Sequence, residues 1–309
     1  MKCPWRAGRG RYCYDRFVAR RLFYTDTYTL PLPAGHKFPI EKYRMLRELL
    51  TNKFEFELAP LAERETIELV HDRDYVEAFL NGTLPAAAMR KIGFPWSDGL
   101  VKRTLASVGG TLSATSQALE TGWGGTLAGG THHAFAGEGS GFCVFNDIAV
   151  AIAWLRVEKR IERAAVIDLD VHQGDGTAHI FQDDPAVLTL SVHCRNNFPL
   201  RKQVSKIDVE LAARTEDEEY LRVLESVLPR VAEFNPEFVF YQSGVDGLKS
   251  DRLGHLELTP AGLRARDRMV MSSVKVPLVI TLGGGYSEPI ALTAEAHAET
   301  FLVAKEILG

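Results

Sequence analysis

The sequence lacks the features of membrane proteins, secreted disulfide-bonded proteins and polyanion-binding proteins. Its 309 residues contain no apolar run near the ~20 residues of a membrane helix and no N-terminal stretch of signal-peptide type. The four cysteines (Cys3, Cys13, Cys143 and Cys194) have no metal-type spacing. A formal net charge of −4 argues against nucleic acid as a direct partner. We therefore predict a cytoplasmic protein that binds neither membranes nor nucleic acids directly.

Residues 1–21 are an exception, because they are strongly basic. Their lysines and arginines are opposed by one acidic residue, Asp15. A nucleic-acid-binding arm, an organellar presequence and a frayed or extended terminus all fit this composition, so we assign it no function. We predict a basic extension over residues 1–21, with disorder as one alternative, and one folded domain over residues 22–309.

The rest of the chain has the pattern of an α/β protein. Short apolar segments occur at residues 126–129, 164–169, 187–192, 238–242 and 276–282, and helical segments separate most of them. Thr215 with Glu218 predicts a capping box at one helix start, and Thr259 before a proline predicts another. Strand–helix alternation implies right-handed crossovers. We therefore predict a mostly parallel sheet with helices on both faces.

Polar side chains lie at the end of each of these predicted strands or just after it. In chain order they are His132 and His133, then Asp168, Asp170, His172 and Asp175, then Ser191 and His193, then Asp246, and finally Tyr286. Open parallel sheets bind ligands at the carboxyl ends of their strands. Five strand ends with such residues predict a functional site along that edge.

The densest of these segments is residues 163–176. Asp168, Asp170 and His172 alternate with apolar residues, so in extended chain all three project to the same side. Buried carboxylates repel one another unless a cation balances them. We predict a metal site with Asp170, His172 and Asp246 as ligands. This donor set suits Zn²⁺ with an open position, and Fe²⁺ and Mn²⁺ are alternatives.

Further residues provide groups for acid–base chemistry. His132 and His133 are the candidate proton-handling pair, and Asp168 and Asp175 could orient the two rings through their second nitrogens. Tyr286 follows three glycines, and its phenol could donate a hydrogen bond to an oxyanion. A metal, a histidine base and an oxyanion donor together indicate hydrolysis of an amide.

The ordered motifs resemble those of a known family. They are GGTHHA at 129–134, GFCVFND at 141–147, DLDVHQGDG at 168–176, GVD at 244–246, DRLG at 251–254 and GGGY at 283–286. From about residue 22 to its end, the chain resembles the zinc-dependent histone deacetylases, and most closely their class IV branch and its bacterial relatives. The resemblance implies the arginase/deacetylase fold, a single three-layer α/β domain with an eight-stranded, mostly parallel sheet. Residues 22–309 would then be a histone deacetylase-like catalytic domain.

The resemblance also implies individual roles. The zinc ligands would be Asp170, His172 and Asp246. The catalytic residues would be His132, His133, Asp168, Asp175 and Tyr286, with Asp168 supporting His132 and Asp175 supporting His133. The wall of an acyl-lysine tunnel would be formed by Gly141, Phe142 and Phe198. A structural K⁺ ion would be bound by Asp168, Asp170, His172 and Ser191. In other members a rim aspartate holds the substrate backbone, and Asp98 is the candidate here.

These features predict a zinc-dependent amidohydrolase that removes acetyl or longer acyl groups from lysine side chains of proteins or peptides. One alternative is a deacetylase of acylpolyamines or other small acylated amines. A metal-bound scaffold without turnover is a second alternative, although it would be expected to lack a ligand, a base or the tyrosine. An arginase-like two-metal site is disfavoured because Asp246 has no acidic partner two residues on. The sequence assigns no oligomeric state.

Overall fold

The computed structural model describes residues 20–309, and its eight strands form one parallel sheet. The strands are β1 Arg21–Tyr24, β2 Glu55–Leu58, β3 Trp123–Thr126, β4 Ala164–Asp168, β5 Val187–Cys194, β6 Ile207–Leu211, β7 Phe238–Gln242 and β8 Leu278–Thr281. Their spatial order is β2-β1-β3-β8-β7-β4-β5-β6. The predicted parallel sheet is therefore confirmed.

Helices cover both faces of this sheet. They are α1 Glu41–Leu49, α2 Arg64–Ile67, α3 Arg73–Leu80, α4 Ala86–Ile92, α5 Asp98–Thr121, α6 Asp147–Val157, α7 Asp175–Ile180, α8 Asp217–Phe234, α9 Pro260–Ser273 and α10 Ala291–Leu308. Alternate residues of β4 belong to opposite cores: Ala164 and Val166 pack with α5 and α6, whereas Ala165 and Ile167 share the core that includes α8, α9 and α10. This three-layer arrangement is the predicted arginase/deacetylase architecture.

Several element boundaries differ from the sequence prediction. The strand predicted at 126–129 lies at Trp123–Thr126. The prediction missed its start because the glycines at 124 and 125 lack the apolar side chains that indicate a strand. Strands β2 and β6 were not predicted, since both are short edge strands with exposed polar residues. By contrast, β7 has the predicted bounds.

The two predicted helix starts have different outcomes. The capping box at Thr215 is wrong: the Thr215 hydroxyl donates to the Ala212 carbonyl, and α8 begins at Asp217 with no side-chain cap. The Thr259 cap is confirmed, because its hydroxyl accepts a hydrogen bond from the Gly262 amide at 3.0 Å.

The predicted extension falls mostly outside the described residues, and β1 begins at Arg21, one residue before the predicted domain start. Within residues 20–309, no helix is both long and apolar enough to cross a membrane.

Candidate active site

The carboxyl ends of β3, β4, β7 and β8 meet at one edge of the sheet, where their loops form the wall of a cavity of about 1250 Å³. His132 and His133 come from the loop after β3, Asp170 and His172 from the loop after β4, and Tyr286 from the loop after β8. The predicted convergence of these strand ends is therefore observed.

Asp170, His172 and Asp246 form a buried group of metal donors. One ligand atom from each residue lies within 4.8 Å of the others. His172 Nδ1 is 3.0 Å from Asp170 Oδ1 and 3.1 Å from Asp246 Oδ2. Ligand–metal distances of ~2.0–2.1 Å place neighbouring donors ~3 Å apart, so these atoms fit around one ion. The arrangement is a candidate metal site.

The backbone fixes the free oxygens of both carboxylates. The Gly284 amide donates to Asp170 Oδ2 at 2.6 Å, and the Val171 amide donates to Asp246 Oδ1 at 2.9 Å. Such contacts orient ligands before a metal arrives.

The charge balance of this group also favours a cation. Burial and the Asp170 charge raise the pKa of Asp246 to about 7. Burial opposes the charge on His172, but its hydrogen bonds to Asp170 and Asp246 raise its pKa to about 10. Protons bound to His172 and Asp246 therefore offset the negative charge of this group. A divalent metal ion would replace these protons.

His132 and His133 are each held by a carboxylate. His132 Nδ1 donates to Asp168 Oδ2 at 2.7 Å, and His133 Nδ1 donates to Asp175 Oδ1 at 2.6 Å. The two Nε2 atoms are 3.1 Å apart, which disfavours two positive charges. Burial lowers the pKa of His132, but Asp168 and Asp170 outweigh it and raise the value to about 9. Burial and the charge of His132 lower the pKa of His133 to about 4, so His133 is the neutral ring.

Tyr286 is 8% exposed and lines the same cavity. Its backbone amide donates to Asp251 Oδ2 at 2.6 Å, while the other oxygen of Asp251 accepts from the amides of Leu253 and Gly254. Burial and the nearby Asp246 and Asp170 charges raise the pKa of the Tyr286 phenol well above its usual value. The phenol is therefore a proton-bearing hydrogen-bond donor.

The three predicted tunnel residues also line the cavity. The Phe198 ring meets the His133 ring edge to face at 4.9 Å, and the Phe142 ring centroid is 6.1 Å from that of Tyr286. Gly141 has φ +53°, and a Cβ there would lie 2.7 Å from the His133 ring, so a side chain would push against the histidine pair. Asp98 begins α5 and does not line the cavity, whereas Asp72 does.

Of the four residues predicted to bind K⁺, Asp170 and His172 are also candidate metal donors, and Asp168 and Ser191 are buried. Asp168 and Ser191 are register partners on β4 and β5, and Asp168 Oδ1 accepts from the Asp170 amide at 3.1 Å. The Ser191 hydroxyl is 3.0 Å from His193 Nδ1. The side chain of His172 contacts Asp170, so this residue is also one of the candidate metal donors.

Sequence reasoning assigned no role to two buried residues that support the site. Asp147 accepts hydrogen bonds from the amides of Gly130 and Thr131, which lead into the histidine pair. Lys42 donates to the Gly285 carbonyl at 3.3 Å, next to Tyr286. Asp147 is the last residue of the motif GFCVFND at 141–147 and could have been found from it. Lys42 lies in none of the motifs, so nothing in the local sequence indicates its role.

A buried set of candidate metal donors, a histidine pair with backing carboxylates and a phenol donor on one cavity form an arrangement that suits metal-assisted hydrolysis. Comparison with known proteins agrees: the histone deacetylase domain model matches residues 36–301. The chain therefore belongs to the histone deacetylase family, which indicates a deacetylase, a hydrolase of amide bonds.

The relatives include proteins of bacteria, plants and mammals. An uncharacterized protein of Picosynechococcus sp. is 43% identical over 295 residues, covering 93% of this chain and 98% of that protein. Histone deacetylase 2 of Arabidopsis thaliana is 34% identical over 87% of this chain and 75% of its own length. Acetoin utilization protein AcuC of Bacillus subtilis is 36% identical, but the match covers 64% of this chain and 57% of AcuC.

Proposed function

We propose that this protein is a zinc-dependent deacylase that removes acetyl or longer acyl groups from lysine side chains. The single observation that carries the proposal is the adjacency of the donor set Asp170, His172 and Asp246 to the neutral ring of His133 and the phenol of Tyr286 on one cavity. When bound, the Zn²⁺ ion would polarise the amide carbonyl and acidify a water molecule.

The chain's own residues would then divide the proton transfers. His133, neutral and oriented by Asp175, accepts the proton of the attacking water at Nε2 and later delivers it to the leaving amine. His132, paired with Asp168, provides electrostatic support to the developing negative charge. The Tyr286 hydroxyl donates a hydrogen bond to the oxyanion formed on the substrate carbonyl.

The cavity supports a lysine side chain as the carrier of the acyl group. Phe142 and Phe198 can pack against methylene groups but provide no charge for a head group. Tolerance of acyl groups longer than acetyl is proposed from the class IV resemblance. The proposal also includes a K⁺ ion bound by Asp168, Asp170, His172 and Ser191. It further includes a cytoplasmic location.

The proposal is tested by turnover of the purified zinc form. Acetyl-lysine peptides, longer acyl-lysine peptides and acetylated polyamines are assayed in parallel, and Asp246→Ala provides the metal-free control. We expect hydrolysis of acyl-lysine peptides with little dependence on flanking sequence. Turnover of acetylated polyamines alone would move the protein to the small-amine alternative, and no turnover of any amide by a zinc-loaded protein would favour a scaffold.

A further inference from the structure

Arg266 is a buried arginine that the proposed chemistry does not use. It lies on α9 beside Asp267, and the guanidinium is 2.8 Å from the Asp267 carboxylate. Both side chains are 1% exposed. A buried ion pair is weak evidence for a contribution to stability, because desolvation offsets the attraction between the charges. The contacts of this pair point to a different purpose.

The guanidinium of Arg266 reaches the backbone of both loops that carry metal donors. It donates to the Gly244 carbonyl at 2.6 Å and to the Ser243 carbonyl at 3.2 Å, and a longer contact of 3.4 Å joins it to the Leu169 carbonyl. Leu169 directly precedes Asp170, and Gly244 lies two residues before Asp246. The planar fork of an arginine can hold several carbonyls in a fixed relation.

The spacing of the two loops determines the spacing of the donors. Gly244 lies so close to the Asp170 carboxylate that a Cβ would collide with Oδ2. In the other direction, Asp246 Oδ1 accepts from the Val171 amide. A shift of one loop would therefore move a donor of the other.

Asp267 in turn holds the guanidinium in place. Its carboxylate accepts hydrogen bonds from the Tyr241 hydroxyl at 2.5 Å and from the Thr300 hydroxyl at 2.7 Å. Tyr241 belongs to β7 and Thr300 to α10, so the ion pair connects the metal-bearing loops to the outer helices.

We propose that Arg266 is a positioning residue for the metal centre, which sets the distance between the Asp170 and Asp246 carboxylates through the carbonyls of Leu169, Ser243 and Gly244. The inference rests on the ligand set of the proposed function. It assigns to Arg266 an effect on metal affinity and coordination geometry.

The test compares Arg266→Lys with the wild type and with Thr121→Val, which removes a buried hydroxyl at the amino end of β3. Lysine keeps the charge beside Asp267 but cannot span the three carbonyls, whereas Thr121→Val leaves the ion pair and its partners unchanged. The Kd for Zn²⁺ is measured by competition with a chromophoric chelator, the visible spectrum of the Co²⁺ form is recorded, and urea unfolding of the metal-free proteins gives their stability. We expect Arg266→Lys to weaken Zn²⁺ binding roughly 10–100-fold and to change the Co²⁺ spectrum. Thr121→Val should keep the wild-type Kd and spectrum.

A wild-type Kd for Arg266→Lys would overturn the proposal, as would losses of affinity in both variants that merely follow their losses of stability. If Arg266→Lys does not fold, the uncharged pair Arg266→Gln with Asp267→Asn undergoes the same measurements. Failure of both to fold in the presence of Zn²⁺ would show that the pair serves the fold itself and would also overturn the proposal. Zinc binding by the wild type that survives Asp246→Ala would instead refute the ligand set of the proposed function.

Discussion

Acid should lower the free energy of unfolding of this protein through His71, a buried histidine outside the pair His132 and His133. His71 Nδ1 donates to the Ala136 carbonyl at 3.1 Å, and Nε2 accepts from the backbone amide of Asn146 at 2.8 Å. These two hydrogen bonds keep the ring neutral. Burial lowers its pKa from 6.5 to about 4. Asn146 caps α6 through its side chain. The next residue, Asp147, accepts a hydrogen bond from the Thr131 amide in the loop that leads into His132 and His133.

The sign and size of the effect follow from this pKa. Because the unfolded chain binds a proton at His71 more readily than the folded chain, stability is intact above pH 6.5 and is lost as the pH falls toward 4. The full loss corresponds to about 3 kcal/mol at about 1.4 kcal/mol per pKa unit, and about 2 kcal/mol of it should be lost by about pH 5.

Urea unfolding of the wild type and of His71→Gln measures this contribution. Glutamine can accept from the Asn146 amide but does not titrate, so the variant should be less stable near neutral pH and less sensitive to acid. The difference in unfolding free energy between the two proteins should shrink by about 2 kcal/mol between about pH 7.5 and pH 5, since all other groups titrate in both. A difference that stays constant over this range would refute the reasoning.

Three further predictions concern the active site. His133→Ala should lower kcat more than His132→Ala, and general acid–base catalysis typically contributes ~10²–10⁴-fold to the rate. Steady-state kinetics that show the reverse order would contradict the assignment. Tyr286→Phe should retain zinc and lower kcat ~10²–10³-fold with little change in KM; a change in KM alone would argue against an oxyanion donor. Asp251→Ala should lower kcat by loosening Tyr286, and loss of bound metal, measured by elemental analysis, would show a different role.

The grouping of the candidate site could be predicted because strand periodicity and strand ends determine it. Asp168, Asp170 and His172 alternate after an apolar run, and a parallel sheet brings the ends of its strands together. The same logic led from the segment at 238–242 to Asp246. β4 and β7 lie within one residue of their predicted bounds, and the structure brings Asp170, His172 and Asp246 together.

What the sequence did not reveal depends on contacts between distant segments. Arg266 lies in the run RARDR, where alternating charges favour a solvated helix face, yet it is buried against carbonyls of two loops. Lys42 has no local pattern that indicates its contact with Gly285. The edge strand β2 was missed because its residues are largely exposed and it pairs only with β1.

The central claim is that Asp170, His172 and Asp246 hold the catalytic metal ion. Its most direct test is the zinc content and the acetyl-lysine turnover of Asp246→Ala, measured beside the wild type and beside Asp183→Ala, which removes an exposed carboxylate after α7. We predict about one zinc ion per chain and full turnover for the wild type and the Asp183 control, and neither zinc nor turnover for Asp246→Ala. An Asp246→Ala protein that retains zinc with wild-type affinity would contradict the account.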